Sequence, residues 1–172
     1  MLKDELSREL NTQINEELFS SYLYLSMAAW FADKNLPGFE RWMKIQAQEE
    51  LSHAMKFYTY ICERGNAVTL DAIAQPGREW SSPRAAFEAA LQHERHITSR
   101  IDGLMTLAMD HRDYATQSFL QWFVTEQVEE EATADGIVRR LELAGDAPQA
   151  LLMVDQELSS RPLPPSPLEE GV

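Results

Sequence analysis

The chain is 172 residues long, with 28 acidic residues against 15 basic ones and a formal net charge of −13. A surface of that sign repels nucleic-acid phosphates and anionic membranes and concentrates cations, so neither is an expected partner. A single cysteine, Cys62, excludes an intrachain disulfide, the charged start MLKDELSREL lacks the apolar core of a signal peptide, and no run approaches the roughly 18–20 apolar residues of a membrane span, so a cytoplasmic protein is expected.

The first helix is predicted from about Asp4 to Asp33, with Asp4 as its N-cap and Leu6, Leu10, Ile14, Leu18, Leu25 and Ala29 recurring at helical spacing. After a short turn at Lys34, Asn35 and Leu36, Pro37 opens a second helix that runs to about Arg64. Its apolar stripe is Phe39, Trp42, Met43, Ala47, Leu51, Ala54, Phe57, Tyr58 and Ile61, and Gly65 ends it in a position suited to the left-handed conformation. Cys62 lies in the apolar run YTYIC and reads as a small buried hydrophobe. Residues 66–82 hold Pro76, Gly77 and Trp80, show no helical period, and make a connection of about 17 residues, long for adjacent antiparallel helices. That length suits a crossover along a bundle, and apolar Leu70, Ile73 and Trp80 suit an ordered strap across two helices.

A third helix follows Ser82 and Pro83, a serine cap with proline in the first turn, and continues through Phe87, Leu91, Ile97, Ile101, Leu104 and Leu107 to about Met109. The fourth covers Tyr114 to Ala144 and stops at Gly145, with Phe119, Trp122, Phe123, Val128, Ile137, Val138 and Leu141 as its apolar positions. A short fifth helix fits Pro148 to Leu158. The domain is assigned to 1–159 and a proline-rich, irregular tail, RPLPPSPLEEGV from Arg161, to 160–172. The prediction is all-α: a four-helix bundle with a long crossover between the second and third helices and a short fifth helix.

A carboxylate belongs on the wet face of a helix unless it is paired or binds metal. Several here fall in phase with the core. Glu50 and His53, three residues apart in the second helix, share one face. Glu17 follows Leu10 and Gln13 near the helical repeat, with Tyr24 two turns further on; Glu94 lies between Leu91 and Ile97; Glu130 follows Phe123 and Gln127. Each alone reads as surface or as a satisfied polar group. Together, on four helices, the carboxylates would repel one another without cations. Their oxygens with one imidazole suit iron or manganese, with zinc able to compete. In such a site Glu50 and Glu130 can bridge two ions, Glu17 and His53 complete one, and Glu94 completes the other. Gln127 can ligate weakly or orient a water, and Tyr24 can hydrogen-bond a ligating carboxylate or donate an electron. Two ferrous ions would supply two electrons to oxygen.

These residues carry a resemblance to the non-haem bacterial ferritins over nearly the whole chain, from Met1 to about Ser159. The matching elements are NEELFSSYLY around Glu17 and Tyr24, AQEELSHAMKF around Glu50 and His53, LQHERHI around Glu94, and FLQWFVTEQVEEE from Phe119 to Glu131. The resemblance implies a ferritin-like bundle whose ferroxidase centre holds one iron on Glu17, Glu50 and His53 and a second on Glu50, Glu94 and Glu130. It implies an accessory third iron site at Glu49, Glu126, Glu129 and Glu130. It further implies a shell of twenty-four copies storing ferric oxyhydroxide.

Two departures set the chain apart from the haem-binding bacterioferritins. The fourth helix reads EQVEE, with Gln127 and Glu130 in place of a second Glu-x-x-His turn, and Ser52 stands where a haem-ligating methionine would precede the histidine. No haem is therefore expected. The start of the fourth helix offers Gln117, Ser118, Leu120 and Gln121 where many ferritins line a channel with acids, leaving Asp110 or Asp113 as the alternative there. The competing reading is a soluble di-iron oxidase or peroxidase resembling rubrerythrins, which usually add a cysteine-paired rubredoxin-like domain. A mini-ferritin of the DNA-protecting kind would lack the fifth helix.

Overall fold

The structure, a computed structural model, describes residues 1–163. Among them the chain forms α1(Asp4–Asp33), α2(Pro37–Glu63), α3(Pro83–Asp110), α4(Tyr114–Ala144) and α5(Pro148–Leu158). The local chemistry explains most boundaries. Ser82 accepts a hydrogen bond from the Ala85 N–H at 3.0 Å and Pro83 fills the first turn of α3. Asp113 caps α4 through the Thr116 N–H. Lys3, not Asp4, is the N-cap of α1, and it makes no side-chain capping bond. At the end of α2, Gly65 adopts φ +73°, so its N–H reaches the Cys62 carbonyl and the Asn66 N–H reaches that of Ile61.

Cross-helix pairs give the directions. Ser21 meets the Ala47 carbonyl and Phe31 stacks on Phe39, so α1 and α2 are antiparallel. Glu9 pairs with Arg100 and Ser20 with His93, so α1 and α3 are also antiparallel. Gln117 reaches the Ala108 carbonyl and Gln127 that of Glu94, so α4 returns along α3. Helices α2 and α3 therefore run the same way, and residues 66–82 must travel the length of the bundle to join them. They do so along α1. Asn11 and Asn15 donate to the carbonyls of Ala67, Asp71 and Ala72, and Ser26 donates to Gly77 further on. Trp80 packs edge-on against Trp30, whereas Leu70 and Ile73, expected to face the helices, are exposed.

Helix α5 is held by an unusual cap. The N-cap residue of α2, Leu36, has no side-chain oxygen, and the carboxylate of Asp155 in α5 replaces it, accepting from Gly38 N–H at 2.8 Å and Phe39 N–H at 3.1 Å. A Cβ on Gly38 would lie 1.7 Å from the Asp155 carbonyl oxygen, so only glycine allows this approach.

The core has two apolar parts. One gathers Met27, Phe31, Phe39, Trp42, Phe87, Leu141 and Val154 at the α5 end. The other gathers Leu6, Leu10, Phe57, Ile61, Ile101, Leu120 and Phe123 at the opposite end. The chain positions between them are polar and buried. Some apolar residues expected in the core face outward: Leu25, Ala29, Leu51, Tyr58, Trp122 and Val128 are exposed. Cys62 is exposed too, one residue past fully buried Ile61, because consecutive helical residues are turned by about 100°. Of the tail, Arg161 is seated against α2. Residues 164–172 of the expected irregular tail lie outside the described residues.

Candidate metal centre

Every residue predicted for the dinuclear site is buried: Glu17 is 1% exposed, Glu50 2%, His53 4%, Glu94 1%, Gln127 5% and Glu130 7%. Each sits at the level where its helix passes between the two apolar clusters. Glu17, Glu50 and His53 bring ligand atoms within 4.8 Å of one another, the one group of its kind among the described residues. His53 Nδ1 lies 3.3 Å from Glu50 Oε2, and its ring stands edge-on against Trp122 and Phe123.

Hydrogen bonds join the other two acids to this group. Gln46, one turn before Glu50, donates to Glu50 Oε1 at 3.0 Å and to Glu130 Oε2 at 2.8 Å. Tyr24 donates to Glu94 Oε1, and Gln127 donates to the Glu94 carbonyl at 3.2 Å and to its Oε2 at 3.3 Å. Gln13 donates to Glu17 Oε1 at 2.9 Å. Gln13 and Gln46, each four residues before a site glutamate, were not singled out as site residues from the sequence. The i, i+4 spacing was the available signal.

The electrostatics follow from burial. Desolvation, followed by repulsion from Glu50, raises Glu17 to about 8, and the same causes raise Glu130 to about 7 and Glu94 well above the usual carboxylate range. Burial also opposes charge on Glu50 and His53. The hydrogen bond and attraction between them win, lowering Glu50 and raising His53 to about 10. Burial raises Tyr24, with the neighbouring Glu94 and Glu50 adding to it. Without a cation, then, burial favours protons on Glu17, Glu94 and Glu130, and the His53 imidazolium faces ionised Glu50.

The donor set fits metal. Glu17 Oε2, Gln13 Oε1 and Gln46 Oε1 are buried acceptors with no hydrogen-bond partner. Native structures seldom leave such groups unmatched. A cation bound to Glu17 Oε2 would satisfy that oxygen, and the combination of carboxylates with one imidazole suits iron, manganese or zinc.

The residues expected at an accessory site are less closely gathered. Glu49 and Glu126 are partly buried and Glu129 is exposed. Glu49 is ion-paired to Arg161, a partner that no local pattern in the sequence signals, because 112 positions separate them. Asp113, considered for a channel, is committed elsewhere: Arg64 pairs with both its oxygens, at 3.0 and 2.8 Å.

A model of the ferritin-like domain matches residues 7–144. Among curated relatives, the bacterial non-heme ferritin of Bacteroides fragilis is 43% identical over 161 residues, covering 94% of this chain and 100% of that protein. The one from Escherichia coli O157:H7 is 39% identical over 160 residues, covering 93% and 97%. Among solved structures, an open pore ferritin from the hyperthermophilic archaeon Archaeoglobus fulgidus superposes with TM-score 0.93 at 50% identity, covering 94% of this chain and 100% of that one. A form of that ferritin engineered to be closed by site-directed mutagenesis superposes with TM-score 0.94 at 49% identity, covering 95% and 100%.

Proposed function

The chain belongs to the ferritin-like family, and on that premise we propose that it is an iron-storage subunit with ferroxidase activity. The substrate is ferrous iron and the oxidant is oxygen or peroxide. The observation that carries the reading is the buried polar layer, where Glu17, Glu50 and His53 converge and a carboxylate oxygen of Glu17 lacks a donor. In this reading Glu17, Glu50 and His53 hold one iron, and Glu50, Glu94 and Glu130 the second. Tyr24 and Gln127 orient Glu94, while Gln46 fixes the spacing of Glu50 and Glu130. Protons leave these acids and His53 as ferrous ions enter, so uptake itself generates the anionic pocket that stabilises ferric product.

Glu49, Glu126 and Glu129, with Glu130, form the accessory iron site in the same proposal. The assembly proposed is a hollow shell of twenty-four copies. Exposed Tyr22, Leu25, Leu70 and Ile73 support burial against other copies, since each is a large apolar side chain left open on the single chain. No helix among the described residues is long and apolar enough to cross a membrane.

Stopped-flow oxidation of ferrous iron and size analysis after iron loading test the reading together. Glu50→Ala or His53→Ala should slow oxidation by about 100-fold or more, given that even supporting groups contribute about 10–100-fold, while the assembled particle keeps its size. Unchanged rates would remove the site assignment. A small oligomer that turns over iron without retaining it would favour the rubrerythrin-like oxidase over storage.

A further inference from the structure

Arg161 stands where the helical chain gives way to the proline-rich tail, three residues past the end of α5. It is not a loose surface arginine. Its guanidinium lies over the Trp42 ring, 4.5 Å from the centroid. One nitrogen reaches the Trp42 carbonyl at 3.5 Å and another pairs with Glu49 Oε2. Its own carbonyl accepts from Arg41 Nη2 at 3.2 Å. The paired side chains are only 19% and 25% exposed, so solvent and salt screen them less than an open surface pair. A stacked, forked guanidinium of this kind is a cation held in place.

Glu49 is adjacent in sequence to Glu50, and it interacts electrostatically with Glu50, His53 and Glu126. Among the described residues, the positive charge with the largest hold on it is Arg161, with the His53 imidazolium second. A divalent cation bound by Glu49 and Glu126 would bring a second, larger positive charge to the carboxylate that Arg161 already holds. In a partly desolvated place the two cations repel strongly, and they compete for the same oxygens.

We infer that Arg161 is a displaceable counter-ion for Glu49, so that cation binding by Glu49 with Glu126 and docking of the tail root onto Trp42 oppose each other. The inference rests on the proposed reading that these carboxylates take iron. Two consequences follow by linkage, which acts equally in both directions. Removing Arg161 strengthens cation binding at Glu49. Filling that site releases Arg161 and its neighbours up to Leu163 from Trp42, so that the tail root reports the filling of the site.

The test uses chelator-stripped, assembled full-length protein and Zn²⁺, a redox-inert probe that takes the same donors. Calorimetric titration of wild type and Arg161→Gln resolves zinc equivalents per chain. The weakest class should bind at least about fivefold more tightly in the variant, at the low end of ordinary coupling factors, with the tighter classes unchanged. Hydrogen exchange in the segment from Ser159 to Leu163 should accelerate in wild type as that class fills. In Glu49→Gln it should already be fast without zinc. Equal or weaker zinc binding in Arg161→Gln overturns the inference, as does tail exchange that ignores zinc. The function reading fails separately: a protein that shows this coupling but neither oxidises nor retains iron keeps the latch and loses the ferritin chemistry.

Discussion

Replacing Glu17 with Gln separates the stability of the metal-free protein from its chemistry. The side chain is 1% exposed, one of its oxygens has no partner, and its pKa is raised from 4.5 to about 8 by burial and by Glu50. An acid raised in this way binds more protons when folded than when unfolded between those two values. Its contribution to stability is therefore most favourable below pH 4.5 and is lost as the pH rises toward 8. At about 1.4 kcal/mol per pH unit, the penalty reaches on the order of 3 kcal/mol at pH 7. Glutamine matches the shape, keeps the acceptor for Gln13 and does not ionise. Metal-free Glu17→Gln should thus be more stable than wild type at pH 7, by up to about 3 kcal/mol, and nearly equal to it at pH 4.5. Denaturant unfolding of chelator-stripped protein at fixed subunit concentration measures the difference. Ferrous ions should stabilise wild type and do so far less for the variant. A variant that is less stable at pH 7, or a gain that persists unchanged at pH 4.5, would refute the account of this layer as a strained metal site.

Tyr24→Phe keeps the packing of the ring and removes the donor to Glu94, so ferrous oxidation followed by stopped flow should slow by about tenfold and the metal-free chain should lose about 1–3 kcal/mol, the cost of leaving a buried carboxyl oxygen unpaired. Asp155→Ala leaves the N-terminal amides of α2 without their cap and should destabilise the chain by about 1–3 kcal/mol, seen as a lower denaturant midpoint and easier proteolysis at α5. At pH 7, Glu17, raised to about 8, Glu130, raised to about 7, and His53, raised to about 10, all hold protons in the metal-free state to a substantial degree. Zinc binding should therefore release protons and weaken as the pH falls, which calorimetry in buffers of different ionisation enthalpy detects; pH-independent binding would contradict the assignment of these groups as ligands.

Helix order and boundaries were legible in the sequence because caps and breakers act locally. Ser82 with Pro83, Pro37 and Gly65 each stand where their backbone chemistry requires them. The burial of the candidate site's acids was legible for a related reason: Glu17, Glu50, Glu94 and Glu130 fall in phase with apolar neighbours, and a buried acid violates the pattern that otherwise sets the inner face. Phase is coarse, however. Leu25, Leu51 and Trp122 lie near the core stripe yet point outward, because a shift of one residue turns a side chain by about 100° and residue type alone does not record the shift.

What the sequence by itself determined is therefore the set of helices and the acids each turns inward. Only the tertiary structure decided which groups meet across helices. Gln46 joining Glu50 to Glu130, Tyr24 reaching Glu94, Asp155 capping α2 and Arg161 closing on Glu49 all link positions far apart in the chain. Those contacts depend on how helices cross and on where the crossover and tail return. Such long-range geometry emerges from packing, and no local periodicity encodes it.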